Sequence, residues 1–593
     1  MHPMRRRDFL RLCARTGLYA GIGASFGLSG CLQREAAKPT QTLPLSKSLH
    51  EVKGTYISGT SAGDAETLNW ALVADNASRE YIGLTMDGLV VYDNDLNILL
   101  RWLAEPIRVS EDGLTYTLIL RDDLMWSDGK QVTAEDFVYT YKNILLSDWL
   151  PFNYKDDYQE TVDGEKVFVN LEAVDKTTYR FVRQTVEPEF LYTVTDFWVY
   201  PKHIVEKYEG DPDAFTQAPE LNNLTYTGNL GPYRFVEWIR NDKFVLERNP
   251  DYYLGQETGA PFFEKYIVKI FGTPAARHAA FEAGDITSTL IDPLQVRKFK
   301  ELEGINVYTV PTGGYTALLW NFRKNGWEGF KKREVREAFA MSIGKDAIVQ
   351  SVYLGFGDPA FSFIPKPSPW YIDEGLKKYG VEPFYDKEKA VEMLDNAGYP
   401  KMNGKILDKD GEPLRLSLIA NSGNKVRESI AFLIKQELSD IGVEIELKFL
   451  PWPTELNQYL KNKIPGTDQP PSFNSGPEAV SENPWDLCVM GFGTDILAPS
   501  GSVTFFGTDG GLNMYGYSNE RVDELFASVK SKEALDEAVR RDIYGELSLL
   551  LSADLPVDFL VYPAANSGFQ EEVKGIEPGI SIGYNYHLWR FEK

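Results

Sequence analysis

Residues 111–141 read EDGLTYTLILRDDLMWSDGKQVTAEDFVYTY, and the fold is decided by how this stretch is parsed. Leu114, Tyr116, Leu118 and Leu120 alternate with Thr115, Thr117 and Ile119. That period of two predicts a strand with one buried face. Ser127-Asp128-Gly129-Lys130 has the composition of a tight turn. Thr133 then stands three residues ahead of Asp136, where a hydroxyl and a carboxylate satisfy the first free amides of a helix. That helix is expected to bury Phe137, Tyr141, Ile144 and Leu145.

The pattern continues on both sides. HEVKGTYISGT, from His50, reads as an extended opening strand, and strands recur at 233–238, 243–248 and 265–271. Beyond Tyr315 the texture changes. Residues 333–353 predict one long amphipathic helix. A second helix, from Asp386, is expected to bury Ala390, Met393, Leu394 and Ala397 and to stop at Gly398, with Pro400 beyond. A third ends at Gly442 and hands over to VEIELKFL, where Val443, Ile445, Leu447 and Phe449 alternate with charged residues. Helix, short Gly turn, strand is the repeat of an α/β domain with a mixed or parallel sheet. Residues 462–484 are rich in Pro, Gly, Ser and Asn without periodicity, and predict a long surface loop.

The chain has 593 residues, 43% hydrophobic and 25% charged, enough for two or three packed domains. The net charge of −24 and the absence of any basic run beyond the N-terminus argue against nucleic acid as a partner. An acidic surface favours cationic over anionic solutes. Residues 1–30 read as an export signal, too short and Gly-rich to span a membrane stably. Arg6-Arg7-Asp8-Phe9-Leu10 fits a twin-arginine pattern. Leu28-Ser29-Gly30-Cys31 fits a lipobox, in which Cys31 is lipidated and becomes the first mature residue, and 31–48 is a polar tether. An exported protein, lipid-anchored on the extracytoplasmic face of the cell envelope, is therefore expected. Cys488, in an apolar stretch, reads as a small buried hydrophobe, and the five His show no zinc spacing. No metal or cofactor is expected.

One motif points elsewhere. Gly59-Thr60-Ser61-Ala62-Gly63 fits the G-x-S-x-G nucleophile elbow, and Asp509-Gly510-Gly511 could complete a patatin-like dyad. An elbow needs a helix directly after the Ser, yet Ser61–Asp64 reads as loop and no good helix former follows before Glu66. A serine hydrolase is thus a remote alternative, and no catalytic residue is assigned.

Taken in order, the blocks resemble bacterial extracellular solute-binding proteins of family 5, the oligopeptide-, dipeptide-, nickel- and opine-binding components of ABC importers. The 111–141 stretch carries the resemblance, with GPYRFVEWIRNDKFVLERNPDYY, HAAFEAGDI, REVREAFAMSIGKDAIVQSV, YDKEKAVEMLDNAGY, WDLCVMGFGTDILAPS and NMYGYSNERVDELF, across nearly all of 50–593. It implies a two-lobed, type II periplasmic-binding-protein clamshell of the large class, with mixed sheets flanked by helices. Lobe one would comprise 49–90, 226–315 and 553–593, with an extra subdomain at 91–225, and lobe two 316–552. It also implies capture of a peptide or peptide-like solute, delivery to an inner-membrane ABC permease, and a monomer. The alternative within the same fold is an oligosaccharide, opine, nickel chelate or haem.

The resemblance also nominates ligand contacts. Asp495, in Gly491-Phe492-Gly493-Thr494-Asp495, matches the carboxylate that meets a peptide's α-ammonium; a capping Asp beside two glycines is the plainer reading. Phe492 stands where the family has Trp, and Thr494 precedes the carboxylate. Trp452 matches an aromatic that lines side-chain pockets, or is a half-buried core Trp. The loop at 74–78, with Asn76 and Ser78, falls where relatives offer polar groups to the peptide main chain. Val489 replaces an Arg that clamps the ligand carboxylate in some relatives. Asp558, near the expected hinge, faces either the cleft or solvent.

Overall fold

The computed structural model describes residues 50–592 apart from 62, 74, 151–154, 196–197 and 223–229. The twin-arginine pattern, Cys31 and the tether lie outside the described residues.

Two half-sheets share one long strand. The first runs Tyr233–Ile239, Lys243–Arg248, Lys265–Ile270, Thr55–Thr60, Ser288–Leu290 and then Val557–Gln570. Thr55–Thr60 is parallel to both its neighbours, while Tyr233–Ile239 and Lys243–Arg248 form an antiparallel hairpin turned at Asn241. The second sets Gly314–Trp320 between Val557–Gln570 and Leu487–Gly493, followed by the parallel pair Arg415–Asn421 and Glu444–Leu450. Both half-sheets carry flanking helices, so the α/β clamshell with mixed sheets expected from the sequence is the architecture observed.

The shared strand changes allegiance midway. Residues 557–563 pair with Gly314–Trp320 and Gly357–Pro359, and 564–570 pair with Ile305–Pro311 and Ser288–Leu290. The chain crosses again between Pro311 and Gly314, and the two crossings touch. Thr312 Oγ1 donates to the carbonyl of Pro563 at 2.8 Å.

Strand alternation divides the second lobe's core. Leu318, Trp320, Leu418, Ala420 and Val489 pack on one face, and Ala317, Leu319, Ile419, Cys488 and Met490 on the other. Burial pushes the Cys488 thiol up to about 12, so it stays protonated and inert.

The 111–141 stretch folds as read. Thr115–Ile119 lies in a separate four-stranded sheet beside Thr178–Val182. Thr133 and Asp136 form a reciprocal capping box at the start of helix Ala134–Tyr139. Phe137 stacks on Tyr179 with ring centroids 4.5 Å apart. The helix widens into a π turn, Thr140–Leu145, which buries Tyr141, Ile144 and Leu145.

Two expectations change. The single helix at 333–353 is two, Arg333–Ser342 and Lys345–Ser351, broken where Ile343 turns extended (φ −106°, ψ 110°). The break points the Lys345 side chain inward, to a buried acid discussed below. The 462–484 segment is a loop, as expected, but a fastened one. The Arg323 guanidinium donates to Gly476 O at 2.6 Å, Asn474 Oδ1 at 3.2 Å and Asn513 O at 2.9 Å.

A buried polar knot ties the C-terminus to the subdomain side. Arg101 donates to Tyr584 O at 2.8 Å and to His587 Nε2 at 3.3 Å, and Tyr252 and Tyr253 both donate to Asp87 Oδ2 at 2.8 Å. His587 is fully buried, and burial reinforced by the Arg101 charge holds its pKa well below the ordinary 6.5. The unfolded chain binds this proton near that ordinary value, and the folded chain does not. Stability is therefore undiminished above it and declines as pH falls below it. Chemical denaturation between about pH 8 and about pH 5 should show this decline, flattened in His587→Gln.

Candidate ligand-binding cavity

A cavity of about 460 Å³ lies between the subdomain and the second lobe. Its volume falls within the range of roughly 300–1,000 Å³ typical of small-ligand sites. The subdomain side is aromatic. Helix Phe190–Thr195 presents Phe190 and Tyr192. Trp198 stands edge-on to Trp70, with centroids 6.3 Å apart, and Trp70 is stacked on Tyr200 at 4.6 Å. Flat, rigid walls of this kind bind apolar side chains at little entropic cost. Burial pushes the Tyr192 hydroxyl up to about 12, so it enters the site as a neutral phenol.

Most charges around the cavity are engaged by the protein itself. Arg183 lies 4.5 Å over the Phe190 ring, donates to Thr185 O at 3.0 Å and sits 3.8 Å from Glu160. Glu187 pairs with Lys530 at 3.0 Å. Glu189 is 3% exposed. It accepts from the Tyr544 hydroxyl and, at 3.2 Å, from the Ser500 amide. Burial raises the pKa of the Glu189 carboxyl.

Asp495 differs. It lines the cavity and is exposed, and its Oδ1 accepts from the amides of Leu497 and Ala498 at 2.9 and 3.1 Å. Oδ2 has no partner among the described residues. The capping reading of this residue therefore holds. One oxygen fixes the turn, and the other is offered to the cavity by a carboxylate whose orientation is already set.

The other nominated residues stand behind the site or away from it. Phe492 stacks on Tyr315, with centroids 5.5 Å apart, in the second-lobe core. Thr494 donates its hydroxyl to Phe363 O at 2.8 Å and its amide to Gly313 O at 2.9 Å, which braces the strand end that carries Asp495. Trp452 is 39% exposed on the π turn Trp452–Leu456 and does not line the cavity. Ser78 is fully buried, and its hydroxyl accepts from the amides of Glu66 and Thr67. That bonding makes it a loop fastener. Asn76 opens helix Asn76–Thr85, and its side chain lies outside the described residues.

Asp558, expected at the cleft or in solvent, is in neither. It is 0% exposed and its Oδ1 lies 2.8 Å from Lys345 Nζ, with no further donor completing either oxygen. Strand alternation explains this. Asp558 pairs in register with Leu318, whose side of the sheet is packed core. Burial raises the Asp558 pKa and lowers that of Lys345, and their mutual attraction opposes both shifts.

The elbow geometry is also missing at Ser61. Its hydroxyl accepts from Arg277 at 3.0 Å, and the next α-helix begins only at Asn76. Asp509 borders a separate surface depression with Asp523 and Lys530.

Sequence reasoning missed the aromatic wall, made by Phe190, Trp198, Glu187 and Glu189 of the subdomain with Trp70 of the first lobe. The available signal was the aromatic-rich run at 190–200 directly after Glu187-Pro188-Glu189.

A mixed-sheet clamshell with a cavity between its parts defines a solute-binding protein, and the family comparison agrees. Residues 99–514 match the model of bacterial extracellular solute-binding proteins, family 5 (middle portion), and the chain belongs to that family. Among curated relatives, the oligopeptide-binding protein AppA of Bacillus subtilis is 28% identical over 542 residues, 90% of each chain. The solved structure of that protein in complex with a nonapeptide is similar with a TM-score of 0.70 at 25% identity, covering 92% of this chain and 100% of that one. The substrate-binding protein CtaP of Listeria monocytogenes shares the fold with a TM-score of 0.75 at 23% identity, covering 92% and 100%.

Two outcomes test the reassigned residues. Asp558→Ala leaves an unpaired buried ammonium and should cost about 3–5 kcal/mol in chemical denaturation, most of it recovered in Asp558→Leu/Lys345→Met. A fluorophosphonate probe should leave Ser61 unlabelled by intact mass.

Proposed function

We propose that the chain is the substrate-binding lipoprotein of an ABC importer, held to the membrane through Cys31, which captures peptides or peptide-like solutes and delivers them to an inner-membrane permease. The observation that carries this reading is Asp495. It is a carboxylate with one oxygen committed to its own turn and the other free, set in a cavity with aromatic walls. A peptide's α-ammonium fits that oxygen as a charge-assisted hydrogen bond, and its apolar side chains fit the walls. The names of the oligopeptide-binding relatives support the same ligand class. Binding without catalysis, as a monomer and without nucleic acid, completes the reading.

The test is a melting screen of the mature domain against mixed peptides, oligosaccharides and nickel chelates. A ligand present at about a hundred times its dissociation constant adds about 2.7 kcal/mol of stability. Free-amine peptides should shift the melt, and the shift should vanish on N-acetylation and in Asp495→Ala. A shift with sugars or chelates alone would retire the peptide assignment and the role of Asp495.

A further inference from the structure

The subdomain reaches across the cavity and contacts the second lobe directly. Glu189 stands on the turn before helix Phe190–Thr195. Its partners are Tyr544, on helix Glu537–Asp554, and the amide of Ser500, on the turn Pro499–Ser502. Two residues earlier, Glu187 pairs with Lys530, just past helix Glu520–Val529. At a third place the turn glycine Gly113 lies so close to Leu535 that a Cβ there would come within 2.8 Å of its side chain. Four segments of the second lobe are thus met by Gly113, Glu187 and Glu189 of the subdomain.

These contacts are not remote from the site. Glu187, Glu189, Ser500 and Lys530 all line the cavity. A ligand that ends inside it leaves the contacts intact, whereas one that runs out between subdomain and lobe must separate them. Separation exchanges the Tyr544 and Ser500 bonds to this charged group for bonds to water and forfeits their net contribution.

We infer that Glu189, with Tyr544 and Ser500, forms a clasp that closes the cavity, and that this clasp selects short ligands over long ones. The length selection rests on the peptide reading above; the clasp itself does not.

The experiment uses the mature domain with spin labels on the subdomain and the second lobe. Without ligand, Glu189→Ala and Tyr544→Phe should lengthen the inter-label distance, while Glu189→Gln, whose amide oxygen accepts from Ser500 and whose NH2 donates to the Tyr544 oxygen, should match the parent. Both opening variants should bind a randomised tripeptide mixture about tenfold more weakly, the equivalent of one lost hydrogen bond, and a randomised nonapeptide mixture within about twofold of the parent. Unchanged distances in both variants, with unchanged melting, overturn the clasp whatever binds. Opening with equal losses for both mixtures overturns length selection. If the parent binds neither mixture, the peptide reading and length selection fall together, and the distances alone decide the clasp.

Discussion

Everything in this molecule hangs on two backbone crossings pinned together by one hydrogen bond, from Thr312 Oγ1 to the Pro563 carbonyl. Val557–Gln570 runs unbroken into both half-sheets, and the other crossing is interrupted only at Thr312-Gly313, so hinge rotation about this point is the relative motion the connectivity favours. The same point abuts the site. A side chain at Gly313 would meet the Thr494 carbonyl oxygen at 3.1 Å, one residue from Asp495. Asp495 and the crossing therefore lie at one corner of the second half-sheet.

Around that corner the protein neutralises its own charges before a ligand arrives. Lys530 answers Glu187, Glu160 answers Arg183, and hydroxyl and amide donors answer Glu189. A cavity full of unpaired charges would bind anything of opposite sign. One in which an Asp495 oxygen stays uncommitted beside aromatic walls favours a cationic group at that place and is tolerant elsewhere. That is a reasonable specification for a receptor of peptides with varied side chains.

Much of this was legible in the residues. Period-two alternation gave the strands, Thr133 and Asp136 gave the helix start, and the ordered blocks gave the family. Asp495 was legible because a short motif flanks it. What failed to show was relational. Asp558 looked like a cleft acid because its strand lies near the pivot, and only register shows that it shares a buried face with Leu318. Lys345 lies inside the stretch that reads as one long helix, and only the break at Ile343 reveals that it turns inward. The subdomain wall was invisible for a similar reason. Its aromatics come from a segment that periodicity marks as irregular, and their meeting with Trp70 is made by tertiary packing alone.

The shared strand also governs how the chain can be made. It follows Ser288–Leu290, Ile305–Pro311 and Gly314–Trp320 by more than two hundred residues, yet all three need it as their neighbour. Thr55–Thr60, near the start, pairs with Lys265–Ile270, some two hundred residues on. Neither lobe can complete its sheet before this strand has been made, and both close in one event dominated by sequence-distant contacts, the slow and aggregation-exposed kind. A chain exported in the folded state has to finish that event in the cytoplasm, and one exported unfolded has to postpone it until the C-terminus is across. Either way, truncating the last forty residues would unmake both halves at once.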